Sequence, residues 1–192
     1  VRDVRVVGAV KVDEAKLAQA LKRFDGVPLV LVQQNEVHRA LEPFPLIQRY
    51  SVERIPPHTL LIRIEERDAV LAIPLGKKVE LRDPAGVLLG MADAPPKGVP
   101  VAQGRAKDPS TPAFTAAARV VRDMPSDIRR KLTEVSASSA QDVAFVLAGG
   151  KRVIWGEASE TQRKAVVLRA MLKSVKSASV IDVSAPETPV FH

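Results

Sequence analysis

The sequence has no cysteine among its 192 residues, and aromatic side chains make up only 4% of it. Without cysteine there is no disulfide, no thiolate metal ligand and no thiol nucleophile, and the redox compartment stays undetermined. With one Trp and one Tyr, the aliphatic side chains have to fill the interior. Because hydrophobic residues make up 46% of the chain, it can bury a core, and a disordered chain is not expected.

Long hydrophobic runs are also missing. The apolar run at residues 26–32 is far shorter than the ~20 residues of a transmembrane helix, and no signal peptide is visible. The chain starts at Val1 rather than Met, directly in a strand-like run. We therefore expect it to be cut from a longer protein, so the absence of a span here says nothing about the full-length protein.

The chain carries a formal net charge of +7, but its basic residues are scattered along the sequence. The densest group, residues 129–131, falls on a predicted helix. A positive charge fits an anionic partner such as nucleic acid, lipid headgroups or cell-wall polymer. It fits equally a solvated Lys/Arg-rich surface, and we favour that interpretation.

The residue types that carry catalysis form no recognisable site. His38, His58 and His192 do not share a metal-ligand spacing such as HxxxH. Glu65 and Glu66 are neighbours on a predicted strand, so they point to opposite faces and cannot act as a catalytic pair. We expect a non-enzymatic protein with no catalytic, cofactor or metal site.

Residues 42–70 predict a pair of antiparallel strands. Leu60, Ile62 and Ile64 alternate with more polar residues in the period of two that is typical of a half-buried strand. Pro56 and Pro57 cannot continue a ladder, so the chain turns there. The segment is suited to making a surface and an interface.

The residues before this hairpin predict one strand and two helices. A strand ends near Gly8, and Asp13 is expected to cap a helix whose apolar face includes Leu17 and Leu21. Residues 28–32 are expected to be short and extended, and a second short helix follows them. The predicted order β-α-α-β-β gives a small α+β domain at residues 1–68.

After Arg67 the pattern changes to short strands separated by turns, followed by a proline-rich loop at 93–112. Thr111 and Pro112 predict the start of a helix, and a short helix is expected from Ser126 through Leu132. Residues 149–150 predict a hairpin. Residues 159–162 are expected to form a capping box that opens the last helix. The second domain, residues 69–192, is therefore a mixed sheet with packed helices.

The strand after that last helix is a candidate binding surface. It has no obvious partner strand after it in the sequence, and such strands often lie at a sheet edge, where open backbone groups can pair with a strand from another chain. The opposite arrangement, with the strand inside the sheet, is equally compatible with the sequence. The candidate partner-binding residues are Val180, Ile181, Asp182, Val183, Ser184 and Ala185.

The ordered motifs of the whole chain resemble the extracytoplasmic part of the FtsQ/DivIB family of bacterial cell-division proteins. The first domain carries the resemblance through residues 4–8 (VRVVG), 26–29 (GVPL), 44–47 (FPLI), 52–56 (VERIP), 59–60 (TL) and 66–67 (ER). The second carries it through residues 81–86 (LRDPAG), 99–104 (VPVAQG) and 181–183 (IDV). The chain departs from the family at residues 55–57, where a Trp and one proline are usual.

The resemblance implies a POTRA domain followed by a β-domain, a lost membrane span before Val1, and a place at the division septum on the extracytoplasmic side of the cell membrane. It implies a scaffold without enzymatic activity that recruits and regulates FtsB and FtsL. It also implies that FtsB adds a strand beside residues 180–185. On this basis a charge or a proline at Ile181 is expected to abolish partner binding without unfolding the domain.

Two other functions stay open at this point. A basic polyanion- or nucleic-acid-binding module would explain the charge, but it predicts clustered basic residues with stacking aromatics, which the sequence lacks. A POTRA-type chaperone module of protein secretion would explain the first domain. It predicts repeated POTRA units or a following barrel, whereas the second part of this chain is a different, helix-bearing domain.

Overall fold

The computed structural model describes residues 1–175 and 177–191, and the chain folds into two compact units, Val1–Asp68 and Ala69–His192. Each unit combines helices with a sheet, which confirms the predicted α+β class. Within the described residues, no helix combines the length and the apolar character that crossing a membrane requires.

The first unit is a three-stranded sheet with two helices. Its sheet has the order β1-β3-β2, with β1 parallel and β2 antiparallel to the central β3. In chain order the elements are β1 (Asp3–Val7), α1 (Glu14–Leu21), α2 (Gln34–Leu41), β2 (Ile47–Ile55) and β3 (Thr59–Glu66).

The sequence explains most of these elements. The Asp13 carboxylate accepts a hydrogen bond from the backbone N–H of Lys16 and caps α1. The predicted hairpin turns at Pro56 and Pro57, between β2 and β3. Leu60 and Ile62 of β3 are fully buried in the core of this unit.

One prediction in this unit is wrong. The segment expected to be extended contains a short 3-10 turn at Leu29–Leu31, held by a hydrogen bond from the Leu31 N–H to the Pro28 carbonyl. Pro28 lies just before the turn with an extended backbone, and its carbonyl accepts the bond that closes the turn, although the residues after it favour strands.

The second unit is built on a nine-stranded mixed sheet with the order β12-β11-β10-β9-β8-β7-β4-β5-β6 among the described residues. Its strands are β4 (Leu71–Leu75), β5 (Lys78–Arg82), β6 (Leu88–Ala92), β7 (Val101–Gly104), β8 (Leu132–Ala137), β9 (Val143–Leu147), β10 (Arg152–Gly156), β11 (Val180–Asp182) and β12 (Val190–Phe191). Its helices are α3 (Pro112–Asp123), α4 (Ser126–Arg129) and α5 (Thr161–Ser174).

The helices of the second unit bury its main core against the sheet. The α3 helix begins as predicted, with the Thr111 hydroxyl accepting the Phe114 N–H and Pro112 at the first helical position. Phe114 of α3 and Phe145 and Trp155 of the sheet are buried in the same core, and the two rings from the sheet lie 5.5 Å apart. A single apolar interior therefore fixes the central strands.

Two local predictions in this unit are wrong. The short helix from Ser126 ends at Arg129, and Leu132 begins strand β8, which the sequence interpretation missed. The expected capping box is absent, because α5 starts only at Thr161, after Glu160 in the left-handed conformation (φ 52°). The Ser159 hydroxyl donates instead to the Glu157 carboxylate.

Candidate partner-binding edge

The C-terminal end of the large sheet is formed by β10, β11 and β12. The β11 strand lies parallel to β10, with Ile181 opposite Val153, and the Val183 N–H donates to the Ile154 carbonyl at 2.9 Å. The β12 strand then pairs antiparallel with the outer side of β11, with Val190 opposite Asp182. Of the sequence-predicted residues, 180–182 form β11 and 183–185 follow it directly.

The prediction that nothing after β11 pairs with it is wrong. The chain reverses after Ala185, where the Thr188 N–H donates to the Ala185 carbonyl at 3.1 Å, and the two residues of β12 return along β11. Residues 180–185 thus lie one strand inside the edge. The outermost strand at this end of the sheet, among the described residues, is β12.

The predicted residues differ in exposure. Ile181 and Val183 are fully buried in the core, Val180 and Asp182 are half-buried, and Ser184 and Ala185 are exposed. A charge at Ile181 would therefore be placed in a closed apolar core, at a cost of several kcal/mol. The expectation that such a change leaves the domain folded is wrong, because the alternation of the strand turns this side chain inward.

The hydrogen bonds determine which backbone groups face outward at this edge. Since the Val183 N–H points to β10, alternation along the strand turns the Asp182 N–H and C=O away from β10, toward Val190 of β12. The backbone groups of Phe191 then face away from β11. Pro189 has no N–H, so Phe191 supplies the outward main-chain donor of β12.

The C-terminal end of β11 closes tightly onto β10. The Asp182 carboxylate accepts the backbone N–H of Ser184 at 2.8 Å. Gly156, at the end of β10, has φ +75°, and a Cβ placed on it would lie 2.9 Å from the Ser184 Cβ. Glycine therefore lets the two strand ends approach each other.

A buried lysine, which was not predicted from the sequence, supports the same region. Lys164 of α5 is 1% exposed, and its Nζ donates to the Trp155 carbonyl at 3.0 Å and to the Glu157 carbonyl at 2.9 Å. Burial lowers its pKa, while the nearby carboxylates of Glu157, Glu160 and Asp182 act in the opposite direction. Lys164 thereby ties α5 to the end of β10.

The segment between β11 and β12 is held by weaker contacts than the buried Lys164 makes at the end of β10. Its Glu187 carboxylate accepts a hydrogen bond from Arg163 of α5 at 3.1 Å, and the same guanidinium contacts Glu160 at 3.3 Å. All three side chains are at least half exposed, and exposed ion pairs contribute little to stability. Val190 and Phe191 are also about half exposed, at 48% and 53%.

The residues weighed for metal or acid–base chemistry have structural contacts. The His38 ring stacks on Tyr50 at 6.1 Å, and the His58 carbonyl accepts the Arg2 N–H, whereas His192 lies outside the described residues. The Glu66 carboxylate accepts the backbone N–H groups of residues 10–12 at 2.7–3.0 Å. In the part of the chain that the structure describes, no three His, Asp or Glu side chains come together as metal ligands.

Two family models match the chain. Residues 1–67 match the POTRA domain, FtsQ-type, and residues 75–184 match the C-terminal domain of the cell division protein FtsQ/DivIB. The chain belongs to the FtsQ/DivIB family. The resemblance stated from the sequence is thereby confirmed.

Curated FtsQ/DivIB relatives align over nearly the whole chain. The cell division protein FtsQ of Streptomyces bingchenggensis is 31% identical, and the alignment covers 98% of this chain and 74% of the relative. The FtsQ of Mycolicibacterium smegmatis is 29% identical, and there the alignment covers 98% of this chain and 56% of the relative. This chain thus corresponds to part of the length of each relative.

A solved structure is also similar to this chain, at a lower sequence identity than the curated relatives. It is the major extracytoplasmic domain of the cell division protein DivIB from Geobacillus stearothermophilus, with a TM-score of 0.44 and 15% identity. The match covers 58% of this chain and 96% of that one. The family assignment rests on the two domain matches and the curated relatives.

Proposed function

We propose that this FtsQ/DivIB chain is a non-enzymatic scaffold of the bacterial division machinery that recruits and regulates FtsB- and FtsL-type partners. The family membership supports a role in cell division. The observation that carries the scaffold proposal is the open edge of the large sheet at β12, where a partner strand can pair with the backbone.

The chemistry of this edge suits strand addition. Main-chain hydrogen bonds supply affinity in such complexes, and alternate side chains supply selectivity. Phe191 offers an outward N–H and C=O, and the half-exposed side chains of Val190 and Phe191 add apolar surface. Residues 180–185 form the inner part of the proposed site, because β11 holds β12 in place.

The two compact units take different roles in this proposal. Residues 1–68 act as the POTRA domain, and residues 69–192 act as the β-domain that binds the partner. We place both on the extracytoplasmic side of the cell membrane at the division septum, anchored by a single span that precedes Val1 in the full-length protein.

The proposal is tested by a change that removes one backbone donor. Phe191→Pro deletes the outward N–H of β12 and leaves the Val190 pairing with Asp182 available. Phe191→Ala is the matched control, because it removes the same ring and keeps the donor. Isothermal titration with the extracytoplasmic segment of FtsB measures the affinity of both variants and of the unchanged chain.

We expect Phe191→Pro to bind at least about tenfold more weakly than Phe191→Ala, since one well-placed hydrogen bond contributes on the order of 1 kcal/mol and the ladder beyond it is also lost. Equal affinities for the two variants would remove strand addition at β12 from the proposal. If the unchanged chain does not bind FtsB at all, the scaffold proposal itself fails.

A truncation distinguishes the two possible strands. Removal of residues 186–192 deletes β12 and uncovers the outer side of β11. If the partner adds to β12, the truncated chain loses binding. If it binds at least as tightly as the full chain, the partner pairs directly with residues 180–185, as the sequence predicted, and β12 is only a cover for that strand.

A further inference from the structure

The last residues of β10 leave the ladders on both sides of that strand. The parallel pairing with β11 runs to Ile154, which lies opposite Asp182. The antiparallel pairing with β9 shifts between Ile154 and Gly156, so Trp155 is the extra residue at this shift. An extra residue of this kind is left out of the ladder hydrogen bonds. The carbonyl groups at the end of β10 therefore need a donor from outside the sheet.

A lysine of α5 supplies that donor. Lys164 lies on the buried face of the helix with Thr161 and Leu168, and it is 1% exposed. Its Nζ donates to the Trp155 carbonyl at 3.0 Å and to the Glu157 carbonyl at 2.9 Å. The ammonium also lies 5.9 Å from the centre of the Trp155 ring, within the range of a cation–π contact. One side chain thus holds both carbonyls of the strand end.

The buried charge faces carboxylates from three segments. Burial lowers the pKa of Lys164, whereas the carboxylates of Glu157, Glu160 and Asp182 act in the opposite direction. These carboxylates come from the end of β10, the turn before α5, and β11. The ammonium therefore lies where the three segments meet.

The end of β10 in turn positions the strand that supports β12. The Ile154 carbonyl accepts the Val183 N–H at 2.9 Å. Gly156 lies against Ser184, since a Cβ placed on the glycine would approach the serine Cβ to 2.9 Å. Both contacts reach the segment that directly follows β11, the strand on which β12 pairs. A displacement of residues 155–157 would therefore move the support of β12.

The preceding residue of α5 also contacts the docking edge, which we define as residues 180–191. The Arg163 guanidinium donates to the Glu187 carboxylate at 3.1 Å, in the connection between β11 and β12. Both side chains are more than half exposed, so this ion pair contributes little to stability. The first turn of α5 therefore carries two cations that hold this region, and the buried Lys164 is the stronger anchor.

We propose that Lys164 is a positioning residue for partner binding at the docking edge. Its two hydrogen bonds fix the end of β10, and the contacts of β10 then hold β11 in the place from which β12 presents its outward backbone groups. A role limited to stability would need no charge at this site, since an apolar side chain avoids the cost of burying an ammonium. The proposal deepens the scaffold function and rests on it, because it requires a partner strand that pairs at this edge.

The test variant is Lys164→Met, which keeps an unbranched side chain of similar length and removes the charge and its N–H donors. Lys173→Met is the matched control, because Lys173 is exposed on the same helix and the net charge changes equally. Isothermal titration with the extracytoplasmic segment of FtsB measures the affinity. The urea transition of Trp155 fluorescence gives the folded fraction of each chain, so that the affinity is calculated per folded molecule.

We expect Lys164→Met to bind FtsB at least about tenfold more weakly than the unchanged chain, since hydrogen bonds from a charged donor are lost beside the docking edge. Lys173→Met should stay within about twofold of the unchanged chain. Equal affinities per folded molecule for Lys164→Met and the unchanged chain would overturn the proposal. A loss in Lys173→Met as large as that in Lys164→Met would show an effect of net charge and would overturn it too.

Hydrogen exchange provides a readout that a merely structural role would not move. The Val183 amide reports on the contact between β10 and the docking edge, and the Phe145 amide, between β8 and β10, reports on the central sheet. We expect Lys164→Met to lower the protection of Val183 at least about tenfold relative to that of Phe145. Equal changes at the two amides would mean that the lysine contributes only to global stability, and the positioning role would be wrong.

A second measurement uses the unchanged chain and does not depend on the folding of the variant. Coupling between two sites is reciprocal, so a partner whose binding depends on Lys164 must also hold that lysine more firmly. Addition of FtsB should slow hydrogen exchange of the Lys164 ammonium at least about threefold more than that of the Phe145 amide. An equal or smaller effect on the ammonium overturns the proposal.

Failure of this proposal can be told from failure of the scaffold function. If the unchanged chain does not bind FtsB, the scaffold proposal fails and the positioning role fails with it. If the unchanged chain binds and Lys164→Met binds equally well, the positioning role alone is removed.

Discussion

The substitution Gly156→Ala tests the close approach of β10 to the end of β11. Gly156 has φ +75°, a conformation that costs an alanine about 1 kcal/mol. The new methyl group would also lie 2.9 Å from the Ser184 Cβ and 3.4 Å from its Cα, so one strand end has to move. Such overpacking costs about 1–3 kcal/mol. We expect the free energy of unfolding of the second unit to fall by about 2–4 kcal/mol.

Gly150→Ala is the matched control. Gly150 lies in the β9–β10 turn with φ +83°, and a Cβ placed on it meets nothing within 4 Å. This variant has the backbone cost without the steric overlap, so we expect a loss of about 1 kcal/mol. The difference between the two variants isolates the contact with Ser184.

Trp155 makes the measurement specific to one unit. It is the lone Trp of the chain, and it is fully buried in the second unit, so its fluorescence follows the unfolding of that unit in urea. With a slope of about 2 kcal/mol per molar urea, the midpoint of Gly156→Ala falls by about 1–2 M and that of Gly150→Ala by about 0.5 M. Equal midpoints for the two variants would refute the proposed close approach.

Three further predictions address other contacts. Ile181→Val removes one buried methyl group and should lower the stability of the second unit by about 1 kcal/mol, whereas Ile181→Asp should prevent its folding, as Trp155 fluorescence will report. Burial opposes ionisation of Glu66, but the N–H groups of Val10, Lys11 and Val12 lower its pKa overall. The contribution of this carboxylate to stability is therefore present above its ordinary pKa and is lost as the pH falls through the lowered pKa. Glu66→Gln should therefore reduce the hydrogen-exchange protection of those three amides about tenfold at neutral pH, and unchanged protection would contradict this role. Asp127 has its pKa lowered to about 2 by the Arg169 side chain, so in Arg169→Gln an NMR titration should return that pKa toward 3.8, and a value still near 2 would contradict the ion pair.

Elements whose ends are encoded by local chemistry could be predicted from the sequence. Asp13 caps α1, Thr111 and Pro112 open α3, and the prolines at 56–57 turn the β2–β3 hairpin. In each case the residues that decide the structure are neighbours in the chain. Short-range hydrogen bonds and fixed backbone angles therefore suffice.

Elements that depend on distant residues were missed. The β8 strand forms because Leu132 and Val135 are buried between β7, β9 and the helices, and the sequence around it shows no turn signal of its own. Ser159 and Gln162 have the spacing of a capping box, but the chain before α5 passes through a left-handed residue at Glu160. The local pattern was present, and the tertiary path of the chain overrode it.

The candidate edge shows the same limit. The sequence indicated a strand at residues 180–185, and the structure contains one, but whether it lies at an edge depends on the return of residues 190–191. A two-residue strand next to prolines has no sequence signal. Lys164 was missed for a related reason, because a lysine on a helix looks solvent-exposed unless the strand end above it is known. The partner-binding role of residues 180–185 remains a prediction.

The strand order of the second unit has a consequence for the timing of its folding. The β10 strand pairs in parallel with β11, which follows only after the whole of α5, and β12 comes later in sequence than the other strands that the structure describes. Pairings over such sequence separations form slowly, after local structure. The proposed docking edge is therefore completed after the other described strands of the second unit, so a partner that binds there would engage only molecules in which that unit is already folded.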